Sequence, residues 1–152
     1  MATQTDTVAT DVSWHSGVLS GLAGAAAMTA LMLAMGATPV IAGAIPGLYG
    51  LTPPANPLAG IVVHLSHGAV LGVGLAAIAS ATDLTETKQL VGVGAVYGLA
   101  TWVVLAALLM PVWLSTVGFP NAPPFPNFAP PSLLWHVTYG VVAGISLGSV
   151  DL

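Results

Sequence analysis

Histidines at positions 64, 67 and 136 and a tyrosine at 139 stand inside apolar stretches of this 152-residue chain. They fall in two related segments, HLSHGAVLG at 64–72 and HVTYGVVAG at 136–144, so that His64 matches His136 and Tyr139 takes the place of His67. Ionisable groups are costly within a bilayer and mark functional sites by default. Three chemistries suit these residue types. Neutral His64 and His136 can hydrogen-bond to Ser66, Thr138, Tyr139 or backbone carbonyls and lock helices together. Two histidines offered from two helices at one depth are also the axial ligand set of a b-type haem, with His67 and Tyr139 around it. Haem propionates usually pair with Arg or Lys, however, and that end of the chain has neither. The third chemistry is copper or another transition metal held by His64, His67 and His136. Met28, Met32 and Met35 share a helical face, and soft thioethers suit Cu(I). The same methionines serve equally as flexible core packing.

These residues have to be positioned by membrane-spanning helices. The chain is 56% hydrophobic and 4% charged, with a mean hydropathy of +0.94, too little polar surface to cover a water-soluble core of this size. Four apolar runs are long enough to cross a bilayer, at about 17–36, 58–80, 90–114 and 132–150. The first is expected to be retained as a span, since MATQTDTVATDVSW lacks the positive charge of a secretory signal. Asp11 or Ser13 is available to cap it. Trp14 and His15 suit a membrane interface. Five prolines in the 38–57 stretch predict a short helical or re-entrant connection. Pro111 predicts a kink or terminator near the end of the third span. The 115–131 loop, with six prolines and three phenylalanines, predicts irregular structure. Trp102, Trp113 and Trp135 suit interface anchors or packing against lipid.

The helices themselves repeat. With an offset of 77 residues, Gly17 and Gly21 match Gly94 and Gly98; with an offset of 72, His64, Gly68 and Gly72 match His136, Gly140 and Gly144. The pattern predicts an all-α, integral membrane four-helix bundle built from two tandem two-helix repeats, about 17–80 and 94–150, forming one transmembrane domain. Each run carries Gly-x-x-x-Gly, which lets helix backbones approach closely where no hydrophobic effect drives helices together. Matched spacing also puts His64 and His136 at similar depth, and a pseudo-two-fold axis would bring them toward one another.

Composition excludes several functions. One Lys, no Arg and a net charge of −4 leave no basic patch for nucleic acid. Without cysteine there are no disulfides, thiolate metal sites or iron–sulfur clusters. No phosphate loop, nucleophile elbow or His-Glu-x-x-His helix occurs. All charges lie on the side of the termini and the 81–89 loop. Lys88 in that loop would make it the cytoplasmic face of a cell membrane. Asp83, Glu86 and Lys88 read as a solvated turn with a local ion pair. The opposite side has two uncharged, apolar connections that are more natural under a cover, either other membrane subunits or a second copy in a homo-oligomer.

The motifs G-x-x-G-x-x-x-M-T (Gly21, Gly24, Met28, Thr29) and V-x-H-x-x-H-G-A (Val62 to Ala69) resemble those of small haloarchaeal four-helix membrane proteins, of the kind found as accessory subunits of terminal oxidases. The likeness covers most of the four-helix region. It implies a small accessory subunit of a larger, respiratory membrane complex and carries over no activity of its own; the central His64 and His136 pair, with haem b as a candidate cofactor, stands on the residues themselves.

Overall fold

Helix α1 (Trp14–Ala34) starts where the Ser13 side chain accepts a hydrogen bond from the Ser16 amide at 3.2 Å, satisfying one of the donors that a helix start leaves open. This is seen in a computed structural model that describes residues 13–150. The capping expected of Asp11, and the charges of Asp6 and Asp151, lie outside the described residues. Helix α2 (Pro57–Ala81) is capped by Asn56, whose side chain accepts from the Ala59 amide at 3.1 Å. Pro57 fills the first helical position, where a missing N–H costs nothing. Helix α3 (Thr87–Thr116) and helix α4 (Pro130–Val150) complete the set. No strand occurs among the described residues. All four helices are long and apolar enough to span a membrane, and the spans predicted from sequence agree with them within three residues at each end.

Small residues set the packing. A Cβ on Gly21 would run into the Gly68 carbonyl, and one on Gly94 into the Gly140 carbonyl, so α1 lies backbone to backbone on α2, and α3 on α4. Both pairs are antiparallel. α1 also packs along α4, whereas α2 and α3 scarcely meet. The helices therefore stand in the order α2, α1, α4, α3, with α1 and α4 in the middle. The side chains sealed between them include Met32, Leu75 and Leu147. Val62, Val70, Val96 and Val104 point outward, as lipid-facing residues do.

Pro111 neither ends nor breaks α3. From Trp102 to Leu109 the helix loosens into a π-helical stretch before Pro111. Proline cannot donate to the carbonyl one turn back, and the Ala107 carbonyl instead accepts from the Asn127 amide at 2.9 Å.

The first half of the 38–57 connection is helical, a π-helical turn at Val40–Ala44 running into Ile45–Gly47, and residues 48–56 are irregular. Ile41, Ile45 and Pro46 are buried in it. The two apolar connections cover part of each other, because the Phe119 ring lies against Gly43 and Gly47. Tyr49 and Phe125 remain exposed at that end. At the other end, Glu86 and Lys88 form the expected surface ion pair at 2.9 Å.

Candidate functional site

The glycine contacts fix the level of the histidines. Gly68 faces Gly21 and Ala25 of α1, and Tyr139 faces Gly24. His64, one turn from Gly68, and His136, one turn from Tyr139, therefore both lie near the level of Met28. At this level α2 and α3 diverge, leaving a cleft of about 580 Å³, within the roughly 300–1,000 Å³ of small-molecule sites. Its floor is Ala25, Met28 and Met32 of α1. His64 and His67 stand on the α2 side, Thr101, Leu105 and Trp113 on the α3 side, and Trp135, His136 and Tyr139 behind. Ile45, Leu48 and Tyr49 of the 38–57 connection close one end.

The cleft interrupts an otherwise matched arrangement, and single residues account for it. Gly24 lets α4 press against α1, since a Cβ there would lie 2.7 Å from the Tyr139 carbonyl oxygen. In the 77-residue alignment Thr101 occupies the corresponding place on α3, and in the 72-residue alignment His67 corresponds to Tyr139. The pair that would mirror the Gly24 and Tyr139 contact is thus Thr101 and His67, two larger or polar side chains, and both line the cleft.

Most polar groups on the wall are satisfied by protein. Tyr139 donates to the Gly68 carbonyl at 2.8 Å and, away from the wall, Tyr97 donates to the Leu71 carbonyl at 2.9 Å, stitching α4 and α3 to α2. Trp113 donates to the Leu48 carbonyl at 2.8 Å, and Trp135 to the Met35 sulfur at 3.1 Å. These two indoles tie the bundle to its connections. Tyr49 and the His67 Nε2 share a hydrogen bond of 2.6 Å. His136 Nδ1 lies 2.7 Å from the Ser132 carbonyl oxygen, which can only accept, so in the neutral ring the proton is on Nδ1 and Nε2 keeps its lone pair. His64 Nε2 is buried and has no partner.

All four residues singled out from sequence, His64, His67, His136 and Tyr139, line this cleft, and His64 is within electrostatic reach of both other histidines. Ser66 does not join them, because its hydroxyl donates to the Val62 carbonyl. Internal hydrogen bonding therefore accounts for Tyr139 and one side of His136, and leaves His64 Nε2 unexplained. Among the described residues no three His, Cys, Asp or Glu side chains are placed to share a metal ion, so the His64, His67 and His136 metal set is not assembled. Met28 and Met32 are buried packing of the floor, and Met35 accepts from Trp135. Axial ligation of haem fits the free Nε2 of His136. The propionates do not fit: Lys88, the sole Lys or Arg, lies beyond the far end of α2, roughly 25 Å from His64 along the 17 residues to Ala81.

Tyr49, Thr101 and Trp113 were not among the expected site residues. Thr101 was visible in principle, as the residue that breaks the Gly24 match. Tyr49 sits in a proline-rich stretch with no periodicity to place it. A second cavity of about 650 Å³ lies among the connections, with Asn121 and Asn127 on its wall and no ionisable side chain.

No family model matches the chain, and no curated protein or solved structure proved similar to it.

Proposed function

We propose that this chain is a binding subunit that holds an apolar molecule in the cleft between α2 and α3, against His64 and His136, within a larger membrane assembly of respiratory type. The observation that carries the binding role is the unpartnered His64 Nε2 inside the cleft. A buried polar atom without a partner costs about 1–3 kcal/mol, and a ligand supplying the missing partner removes that cost. The accessory-subunit part rests on the exposed aromatic side chains at the uncharged end, Tyr49 and Phe125 among them, which offer a surface to a neighbouring subunit. On the same reading the two halves arose by duplication, the membrane is the cell membrane, and Lys88 is on its cytoplasmic face.

A b-type haem between His64 and His136 is the second reading. It is favoured by the Ser132 carbonyl, which orients the His136 ring in the way a ligating histidine is usually held. Such a group would supply electron transfer, but its propionates would lack a counter-charge here.

Purification from native membranes in mild detergent tests both parts. A co-purifying apolar molecule that is lost on His64→Ala supports the binding role, and its absence counts against it. Migration as a lone 15 kDa species would sink the assembly. A reduced-minus-oxidised spectrum with an α-band that disappears on His136→Ala would establish the haem reading instead.

A further inference from the structure

The chemistry left open on the cleft wall narrows what it can hold. Tyr139, Trp113, Trp135 and Thr101 each spend their donor on protein. Two imidazole nitrogens and one hydroxyl remain: His64 Nε2, which has no partner, His136 Nε2, which carries a lone pair, and Ser132 Oγ. Neither imidazole brings a positive charge in its neutral form, and Lys88 is paired with Glu86 at the other end of the bundle. A charged lipid head group would be buried here without a counter-ion, which is strongly unfavourable. A neutral ligand with oxygen atoms is matched. The mouth of the cleft is equally informative. Val70 and Leu109 line it and are 71% and 54% exposed, so it opens sideways between α2 and α3, toward lipid.

We infer that the occupant is a membrane quinone, its head-group oxygens against His64 and His136 and its isoprenoid tail leaving between Val70 and Leu109. This rests on the binding role proposed for the same cleft. The His136 tautomer adds a redox preference. A nitrogen that only accepts pairs with the hydroxyl of a quinol and is repelled by the carbonyl oxygen of a quinone. His64, with Nε2 unpartnered, serves either form. The reduced form therefore binds about tenfold more tightly, the worth of roughly one matched hydrogen bond.

The test uses the full chain in phosphatidylcholine nanodiscs and a 2-methyl-3-decyl-1,4-naphthoquinone probe, oxidised or reduced, under anaerobic conditions. Binding is read as quenching of tryptophan fluorescence, since Trp113 and Trp135 wall the cleft. Saturable binding is expected, weakened at least tenfold by His64→Ala, with the preference for the reduced probe abolished by His136→Phe. Val70→Trp, on the lipid-facing rim and remote from the fold's contacts, should block the mouth and weaken both forms while helix content is unchanged. It decides the matter if either histidine variant fails to fold. Quenching that never saturates, or that is the same in wild type and Val70→Trp, overturns the inference. Equal affinity for the two redox forms overturns the tautomer argument. A solvent extract of the natively purified protein separates this inference from the binding role. His64-dependent recovery of a carotenoid or a haem removes the quinone and keeps a ligand-holding cleft, whereas no co-purifying molecule and no saturable binding remove both.

Discussion

Replacing Gly24 with Thr, the residue at the matching position of α3, should force apart the two central helices. A Cβ at Gly24 would stand 2.7 Å from the Tyr139 carbonyl oxygen and 3.0 and 3.1 Å from two carbons of its ring. Comfortable contact begins near 3.5 Å, so α1 and α4 must separate by roughly 0.8 Å, and threonine adds two further heavy atoms in the same space. The obstacle is backbone, which cannot rotate away. Overpacking of this kind costs about 1–3 kcal/mol. Moving Tyr139 also strains its 2.8 Å hydrogen bond to the Gly68 carbonyl, and interhelical bonds in membranes are worth ~0.6 kcal/mol on average and up to ~1.7. The opposing gain, leaving glycine for a better helix former, is under ~1 kcal/mol. The net expectation is a loss of about 1–4 kcal/mol, with Gly24→Ala at the lower end. Equilibrium unfolding by SDS titration in mixed micelles, followed by circular dichroism, measures it. A Gly24→Thr protein within about 0.5 kcal/mol of wild type would refute the close-packing account of this crossing and of the open cleft beside it.

Three smaller perturbations follow the same logic. Tyr139→Phe keeps the ring in its buried place and removes only the donor to Gly68, so it should cost ~0.6–1.7 kcal/mol in the same titration. Asn127→Pro deletes the amide that satisfies the Ala107 carbonyl, and hydrogen exchange should show faster opening around Trp102–Leu109. Asn127→Ala, which keeps the amide, should leave exchange there unchanged. Lys88→Ala should leave thermal stability unaltered, because its ion pair with Glu86 is solvent-exposed and screened.

Much of this architecture is legible in the residue order. Four apolar runs, the Ser13 cap and the glycines at fixed spacing are local signals, and they place His64 and His136 on separate helices at one depth. Other features are not local. Pro111 reads as a break, and is accommodated only because Asn127, sixteen residues on, supplies the hydrogen bond that proline removes. The uncharged loops read as bare, yet Phe119 packs on Gly43 and Gly47 from the other connection. Tyr49 carries no motif and becomes part of the site only by reaching His67 across the fold.

The sequence by itself determined the spans, because a chain in lipid must satisfy its backbone within each helix and must show lipid an apolar exterior, both of which are written in composition and length. It also determined which helix faces can approach closely, through glycine. Which helices actually meet was decided by tertiary packing. The glycine spacing alone does not choose between α1 against α4 and α2 against α3, and the structure takes the first, where Gly24 admits Tyr139, leaving Thr101 and His67 apart. That difference of a few atoms at one crossing opens a cleft on whose wall both His64 and His136 stand, with one imidazole nitrogen unpartnered inside it.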